Sequence, residues 1–343
     1  MQIIIIGAGI SGITTYLFLK KYLEPKHSIY IYEKRSNILS NQYSEGAGLG
    51  IMPNGMRVLN DLDTNLKENV SSEGFDCENF LFHNKHGRVL GVQRANRNSE
   101  DRCISISRHG LWKCLVNQLE RYGQPEDIVK IGEVEGVRWS EEKRKVLLTF
   151  TPKSQEEQAD LVIGADGINS ITRKSLFPES SLRYSGLAWV GGEVSTPLPK
   201  VIQEKRAWIF SPSQTGYFCY FSGGPASKNK VMWLSIYPEK DPSAERNLKE
   251  DLQNRYKDWA DLTVHEVIDK ADPKYPYPIS TVPELPEWGR DGIVLLGDAV
   301  HTLSPTSGQG ASQALEDAQT FSLLLAKSLN KCSSLQPKRE TNA

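Results

Sequence analysis

The sequence predicts an α/β protein: a nucleotide-binding domain of parallel strands, discontinuous along the chain, with an inserted antiparallel-sheet domain. Three observations predict it. The chain opens on four consecutive isoleucines, Ile3 to Ile6, followed by the glycine-rich turn Gly7-Ala8-Gly9-Ile10-Ser11-Gly12. A second apolar strand, Ile293-Val294-Leu295-Leu296, stands near the other end and stops at Gly297-Asp298. Between them, residues 183–240 hold short aromatic-rich strands joined by Gly, Pro and Ser turns.

The isoleucine run reads as a parallel strand buried on both faces. Gly7 permits the tight turn out of it, Gly9 leaves room for a pyrophosphate to approach the backbone, and Gly12 lets the next helix lie close on the sheet. That helix, Ser11 to about Tyr22, aims its N-terminal N–H groups at phosphates. A second strand, Ser28 to Tyr32, ends at Glu33, about 20 residues after the glycines, where a ribose hydroxyl pair would sit. The motif specifies a dinucleotide and leaves NAD and FAD open.

Glu45 to Gly55 packs three glycines within a short stretch (Gly46, Gly48, Gly50), again allowing close approach to a flat or anionic group, and Pro53-Asn54-Gly55 starts a helix with Met56, Leu59 and Leu62 on one face. Phe80-Leu81-Phe82 and Val89 to Val92 flank a turn at Lys85-His86-Gly87, and a strand from Ile104 to Ser107 leads through Arg108-His109-Gly110 into a helix carrying Leu111, Leu115 and Leu119. An arginine at such a junction can meet a phosphate or carboxylate or serve only the surface. Val134–Trp139 and Lys145–Phe150 predict a hairpin. Ala159 to Gly164 predicts another buried strand, followed by Ala165-Asp166-Gly167 and a short helix with Ser170 and Arg173. In the aromatic region, alternation along residues 216–222 sets Tyr217, Cys219 and Phe221 on one face and Phe218, Tyr220 and Ser222 on the other. A charged helix over 243–259 and a proline-rich extended crossover over 273–286 follow, and a helix from Ser312 to about Leu329 closes the ordered pattern.

With 343 residues the chain can bury a large core and form two domains. A net charge of -1 argues against a nucleic-acid binder that works by phosphate neutralisation. No apolar run reaches the ~18 residues of a membrane-spanning helix, and the N-terminus is itself a core strand, so a cleaved signal peptide is not expected. The five cysteines are scattered without a C-x-x-C pair, which fits reduced thiols in a cytoplasmic protein and gives no metal site. A monomer or a homodimer is expected.

Four stretches together resemble the FAD-dependent aromatic hydroxylases, the single-component flavin monooxygenases that include p-hydroxybenzoate and salicylate hydroxylases. Gly7–Gly12 with Glu33 is similar to their FAD fingerprint, and Arg108 with Leu111 and Leu115 to their arginine-containing helix start. Gly164-Ala165-Asp166-Gly167 with Ser170 and Arg173 is similar to their D-G motif. Gly297-Asp298-Ala299, His301, Pro305, Gly308-Gln309-Gly310 and Glu316-Asp317-Ala318 resemble their long G-D motif. The resemblance runs from Ile3 to Ala318. It implies a GR2-type Rossmann-like FAD domain over 1–74, 103–180 and 280–343, with a substrate domain over 75–102 and 181–279. The sequence departs from the family at Ser312, where Asn is frequent, and after Lys331, where relatives continue with an arginine-rich helix; the terminal helix is therefore expected to be weakly supported.

The resemblance also implies roles. Glu33, followed by Lys34, binds the adenosine ribose; Gly46, Ala47 and Gly48 line the flavin side; Arg108 contacts the diphosphate and ribityl region. Asp166 lies near the pyrophosphate and assists the nicotinamide donor; Asp298 binds the ribityl and diphosphate portion; Pro305, Gly308, Gly310 and Ala311 sit against the isoalloxazine. NADH or NADPH reduces FAD, O2 gives a flavin C4a-hydroperoxide, and one oxygen passes to a small aromatic or apolar molecule. No second G-x-G-x-x-G exists, so NAD(P)H binds transiently. The catalytic candidates are Tyr217, as a substrate-facing hydroxyl or a packing tyrosine, and His301, as a proton-transfer partner or a loop-holding hydrogen bond. The competing readings are an FAD oxidase, dehydrogenase or C=C reductase without oxygen insertion, and a flavin-binding module without activity.

Overall fold

The four isoleucines form the centre of a six-stranded sheet, and the order of that sheet explains why both their faces are apolar. In this computed structural model, which describes residues 1–36, 48–95, 102–151, 156–214 and 216–335, the strand Gln2–Ile6 lies between Ser28–Glu33 and Leu161–Gly164, parallel to both. Ile293–Leu295 adds beyond Leu161–Gly164 and Val129–Ile131 beyond Ser28–Glu33, again parallel; only the edge pair Gly289–Arg290 runs antiparallel. Ile3 and Ile5 pack under helices, while Ile4 and Ile6 pack on a second layer, a three-stranded antiparallel sheet of Glu133–Ser140, Lys145–Thr151 and Glu156–Ala159. The hairpin expected in that region is present and gains a third strand.

The helix Ile10–Tyr22 is buried at every residue from Ile10 to Leu19 because it lies between the sheet and the terminal helix Gly310–Leu335. A helix covered all round has no polar face to show in sequence. The terminal helix is firmly docked rather than weakly supported: Ser312, Ala314, Leu315, Ala318, Ser322 and Ala326 are buried along one side. Its small residues let it approach the Ile10–Tyr22 and Pro53–Leu62 helices closely.

The region read as a separate antiparallel sheet is part of a larger mixed one. Seven strands lie in the order Tyr277–Thr281, Arg183–Ser195, Lys230–Pro238, Tyr217–Ser222, Ala207–Pro212, Asn79–His83, Val89–Arg94. Ala207–Pro212 pairs in parallel with Asn79–His83, so the antiparallel expectation fails at that seam. The physical reason is that the two strands arrive from distant parts of the chain with no hairpin to impose direction. The proline-rich stretch supplies the edge strand Tyr277–Thr281, with Pro278 on the periphery where a missing N–H is tolerated. One face of this sheet is closed by the helices Leu248–Tyr256 and Leu262–Lys270. The sequence reading gave a single charged helix here, yet Asp261 caps the second by accepting from Thr263 N, and Val264, Val267 and Ile268 are buried at helical spacing.

Candidate functional site

The three glycines of the first turn have three different surroundings. Gly7 has φ +103°, its N–H donates to Tyr32 O (2.7 Å), and an added Cβ would lie 2.5 Å from Ala165 O. At Gly12 a Cβ would lie 1.9 Å from Gly7 O. At Gly9 a Cβ would meet nothing within 4 Å. Gly9 caps the helix Ile10–Tyr22 without any side-chain acceptor for the first-turn N–H groups. Ser11 Oγ is buried there with no hydrogen-bond partner. An open backbone, unclaimed helix N–H groups and an orphaned hydroxyl make a cradle suited to a phosphate.

The other end of the chain comes to the same place. A Cβ on Gly297 would lie 3.0 Å from Ser11 Oγ, so the Gly297–Ala299 turn stands directly beside the phosphate cradle. Gly297 takes φ +60°, and its N–H donates to Asp317 Oδ2 (2.9 Å). The same carboxylate oxygen accepts from His301 Nε2 (2.6 Å). That bond raises the pKa of His301, and burial works against it. Asp298 projects to solvent, yet protein crowds around its carboxyl and pushes its pKa up. Arg108 and His301 pull it back down, and Asp317 raises it further. Arg108 opens the helix Arg108–Leu119, which Ser107 Oγ caps by accepting from Gly110 N (3.0 Å). Trp112 of that helix donates Nε1–H to Ala8 O (2.9 Å), fixing Arg108 relative to the glycine turn.

Glu33 ends its strand as expected and already holds two backbone groups: Oε2 accepts from Ala8 N (2.9 Å) and Oε1 from Arg35 N (3.0 Å). Lys34 beside it is exposed. Asp166 spends both oxygens on the turn after its strand, accepting from Ser170 Oγ (2.5 Å), Thr172 N (3.0 Å) and Thr172 Oγ1 (3.1 Å). Arg173, almost fully buried, donates to Ala299 O (2.9 Å) and Ile168 O (2.5 Å) and so ties this turn to the Gly297–Ala299 turn. Burial lowers its pKa, and Asp166 opposes that.

Gly46 and Ala47 lie outside the described residues. Gly48 opens the strand Gly48–Ile51, which lies against the open face of the seven-stranded sheet: a Cβ on Gly48 would sit 2.6 Å from Phe221 and one on Gly50 2.8 Å from Trp208. The strand then meets the terminal helix, Met52 N donating to Ser312 Oγ (3.0 Å). Ser312, where the sequence departs from the family's frequent Asn, thus ties this strand to the start of the terminal helix. Pro305 is exposed, Gly308 has φ +62° with Met52 Cε 3.2 Å from its Cβ position, and Gly310 and Ala311 begin the terminal helix.

The structure does not pair the two catalytic candidates. Tyr217 lies on the face read for it, with its ring 6.0 Å from Phe210 and its hydroxyl on Cys219; burial, then Cys219, raises its pKa. His301 turns to Asp317 and to the ring of Trp288, 5.3 Å away. Sequence reasoning left Ser11, Trp112, Arg173 and Asp317 out of the site. Ser11, Asp317 and Arg173 lie inside the motifs read along the chain, so their signal was present; Trp112 matters only through a contact across the fold.

The glycine turn and the Gly297–Ala299 turn meet at Ser11, and the strand Gly48–Ile51 links the terminal helix to the aromatic sheet face. The chain belongs to the FAD binding domain family, whose signature matches residues 1–335, and FAD is the cofactor of that family. It is 28% identical to 3-amino-4-hydroxybenzoate 2-monooxygenase of Streptomyces cremeus over 94% of this chain and 77% of that protein. It is 25% identical to the chloroplastic zeaxanthin epoxidase of Nicotiana plumbaginifolia over 96% of this chain, and spans about half (49%) of that protein's length. Among solved structures, Klebsiella pneumoniae HpxO, complexed with FAD and uric acid, shares the fold with a TM-score of 0.80 at 22% identity, covering 98% of this chain and 82% of that one.

Proposed function

We propose that this chain is an FAD-dependent monooxygenase that uses NADH or NADPH and O2 to hydroxylate or epoxidise a small aromatic or apolar molecule. One observation carries the reading: Ser11 and Gly297, from opposite ends of the chain, stand side by side at the open backbone of Gly9. The names of the two relatives, a monooxygenase of an aminohydroxybenzoate and an epoxidase of zeaxanthin, support the reaction class. No helix among the described residues is long and apolar enough to cross a membrane; a cytoplasmic location is part of the proposal.

The first-turn N–H groups and Ser11 hold the pyrophosphate, Glu33 with Lys34 the adenosine ribose, and Arg108 the diphosphate. Asp298 binds the ribityl chain. Gly46 to Gly48, Pro305, Gly308, Gly310 and Ala311 border the ring, and Asp166 stiffens the turn beneath the pyrophosphate. Bound FAD supplies the redox chemistry, accepting hydride and activating O2. Residues 1–74, 103–180 and 280–343 carry the cofactor, and 75–102 with 181–279 carry the substrate. Tyr217 stays protonated because burial opposes its ionisation, so it serves as a hydrogen-bonding hydroxyl and not as a base. His301 holds the Gly297–Asp298 turn through Asp317.

The test is purification of the Asp298→Ala variant together with the unaltered protein. The unaltered protein should be yellow, should consume NAD(P)H when a substrate is added, and should give a product heavier by one oxygen. Asp298→Ala should emerge colourless. Tight flavin retention by the variant would contradict the assignment of Asp298, and oxidation without mass gain would contradict oxygen insertion.

A further inference from the structure

The register of the seven-stranded sheet shows the chemistry of the face on which the strand Gly48–Ile51 lies. Side chains alternate across a sheet, so residues paired across neighbouring strands line up in rows on one face. One row reads Phe80, Trp208, Phe221, Met232, Glu193. It is covered by the strand Gly48–Ile51 at Trp208, Phe221 and Met232. The next row reads Phe82, Phe210, Cys219, Leu234, Gly191. Its rings and Leu234 are only half-buried, with Phe82 and Phe210 stacked at 5.4 Å. The third holds Tyr217, Ile236, Trp189 and Tyr277, with Trp189 and Tyr277 stacked at 4.5 Å. Glu193 is the one charged side chain in these rows. Lys230, at the margin of the same face, closes on it at 2.7 Å, so that cation is already neutralised within the sheet.

We propose that this face selects uncharged substrates: the molecule oxygenated is a neutral aromatic or conjugated compound, and arene carboxylates are rejected. The proposal rests on the monooxygenase reading only in using the same cleft. A carboxylate laid on the second row would lose its water against phenylalanine, leucine and cysteine side chains and gain no counter-charge from them. A neutral planar molecule loses no such hydration and gains stacking on Phe82 and Phe210. The face therefore separates the two chemistries carried by the relatives' names and sides against the aromatic acid.

Isothermal titration of the purified full chain with a matched pair, 1-hydroxy-2-naphthoate and its methyl ester, tests this. The ester should bind at least tenfold more tightly than the acid. Leu234→Arg, which adds a cation to the second row, should cut that preference at least tenfold; Phe82→Arg serves the same purpose nearer the sheet edge if the first variant does not fold. Equal binding of acid and ester, no binding of the ester up to its solubility limit, or a preference unchanged in the folded arginine variant would each overturn the proposal. Flavin content and NAD(P)H oxidation are read separately. A yellow, active protein that prefers the acid sinks the charge selection alone, whereas a colourless protein that prefers the ester sinks the monooxygenase reading alone.

Discussion

The two large sheets of this molecule are specified by different means. Around the six-stranded sheet, polar side chains bind fixed backbone atoms: Arg173 on Ala299 O and Ile168 O, Asp317 on Gly297 N, Trp112 on Ala8 O, Glu33 on Ala8 N. Glycine stands where a Cβ would strike the backbone. On the open face of the seven-stranded sheet, stacked rings and aliphatic chains do the packing, as in the 4.0 Å stack of Trp208 on Phe221. Hydrogen bonds and backbone clearances are directional and unforgiving, whereas apolar contact is proportional to area and tolerates exchange. The six-stranded sheet and its turns are thus built to hold one shape, and the open face of the seven-stranded sheet can vary its side chains without losing the fold.

The sharpest way to break this comparison is at the glycines. Gly12→Val should abolish soluble protein or cost more than about 3 kcal/mol, since the backbone of Gly7 cannot move aside. Gly9→Ala should leave thermal stability within about 1 kcal/mol while weakening FAD roughly tenfold or more, the added methyl lying where the phosphate approaches. Thermal melts with flavin-fluorescence titration separate the two outcomes; a Gly9→Ala variant that melts like Gly12→Val would show the cradle to be structural only.

Next in size, Arg173→Met should cost about 3 kcal/mol by urea titration, because one buried and one part-buried carbonyl lose their donor. Full stability in that variant would remove the contrast drawn between the sheets. A smaller effect, about 1 kcal/mol, is expected for Phe210→Leu on the half-buried row, with flavin retained. The smallest is a pH effect at His301. Its pKa is raised in the folded protein, so the stabilisation is complete below the unfolded value near 6.5 and disappears as pH rises through the folded value. Urea titration at a series of pH values should show this loss as pH rises above the unfolded value, and the loss should vanish in His301→Gln.

Much of the six-stranded sheet and its turns is legible along the chain. Ile3–Ile6, the glycine spacing, Glu33 at the end of its strand, and Gly297-Asp298 after a late apolar strand all depend on local chemistry, which neighbouring residues determine. The helix Leu262–Lys270 was not read, although Asp261 stands at its cap and Val264, Val267 and Ile268 at helical spacing, because the charged segment before it drew the reading to a single helix. The parallel seam between Ala207–Pro212 and Asn79–His83 was not legible, since no local turn connects those strands. Nor were the partners of Ser312 and Trp112, which belong to Met52 and Ala8, far away in sequence.

By itself the sequence determined that a glycine-led βαβ unit and a late acidic turn exist, because φ freedom, burial periodicity and capping are properties of short segments. Only the tertiary structure decided that Ser11 stands beside Gly297, that Asp317 rather than solvent holds His301, and that three largely apolar rows share one sheet face with Glu193 answered by Lys230. Those are distances between residues far apart in the chain, and they follow from how sheets and helices pack as whole layers rather than from any one stretch of residues.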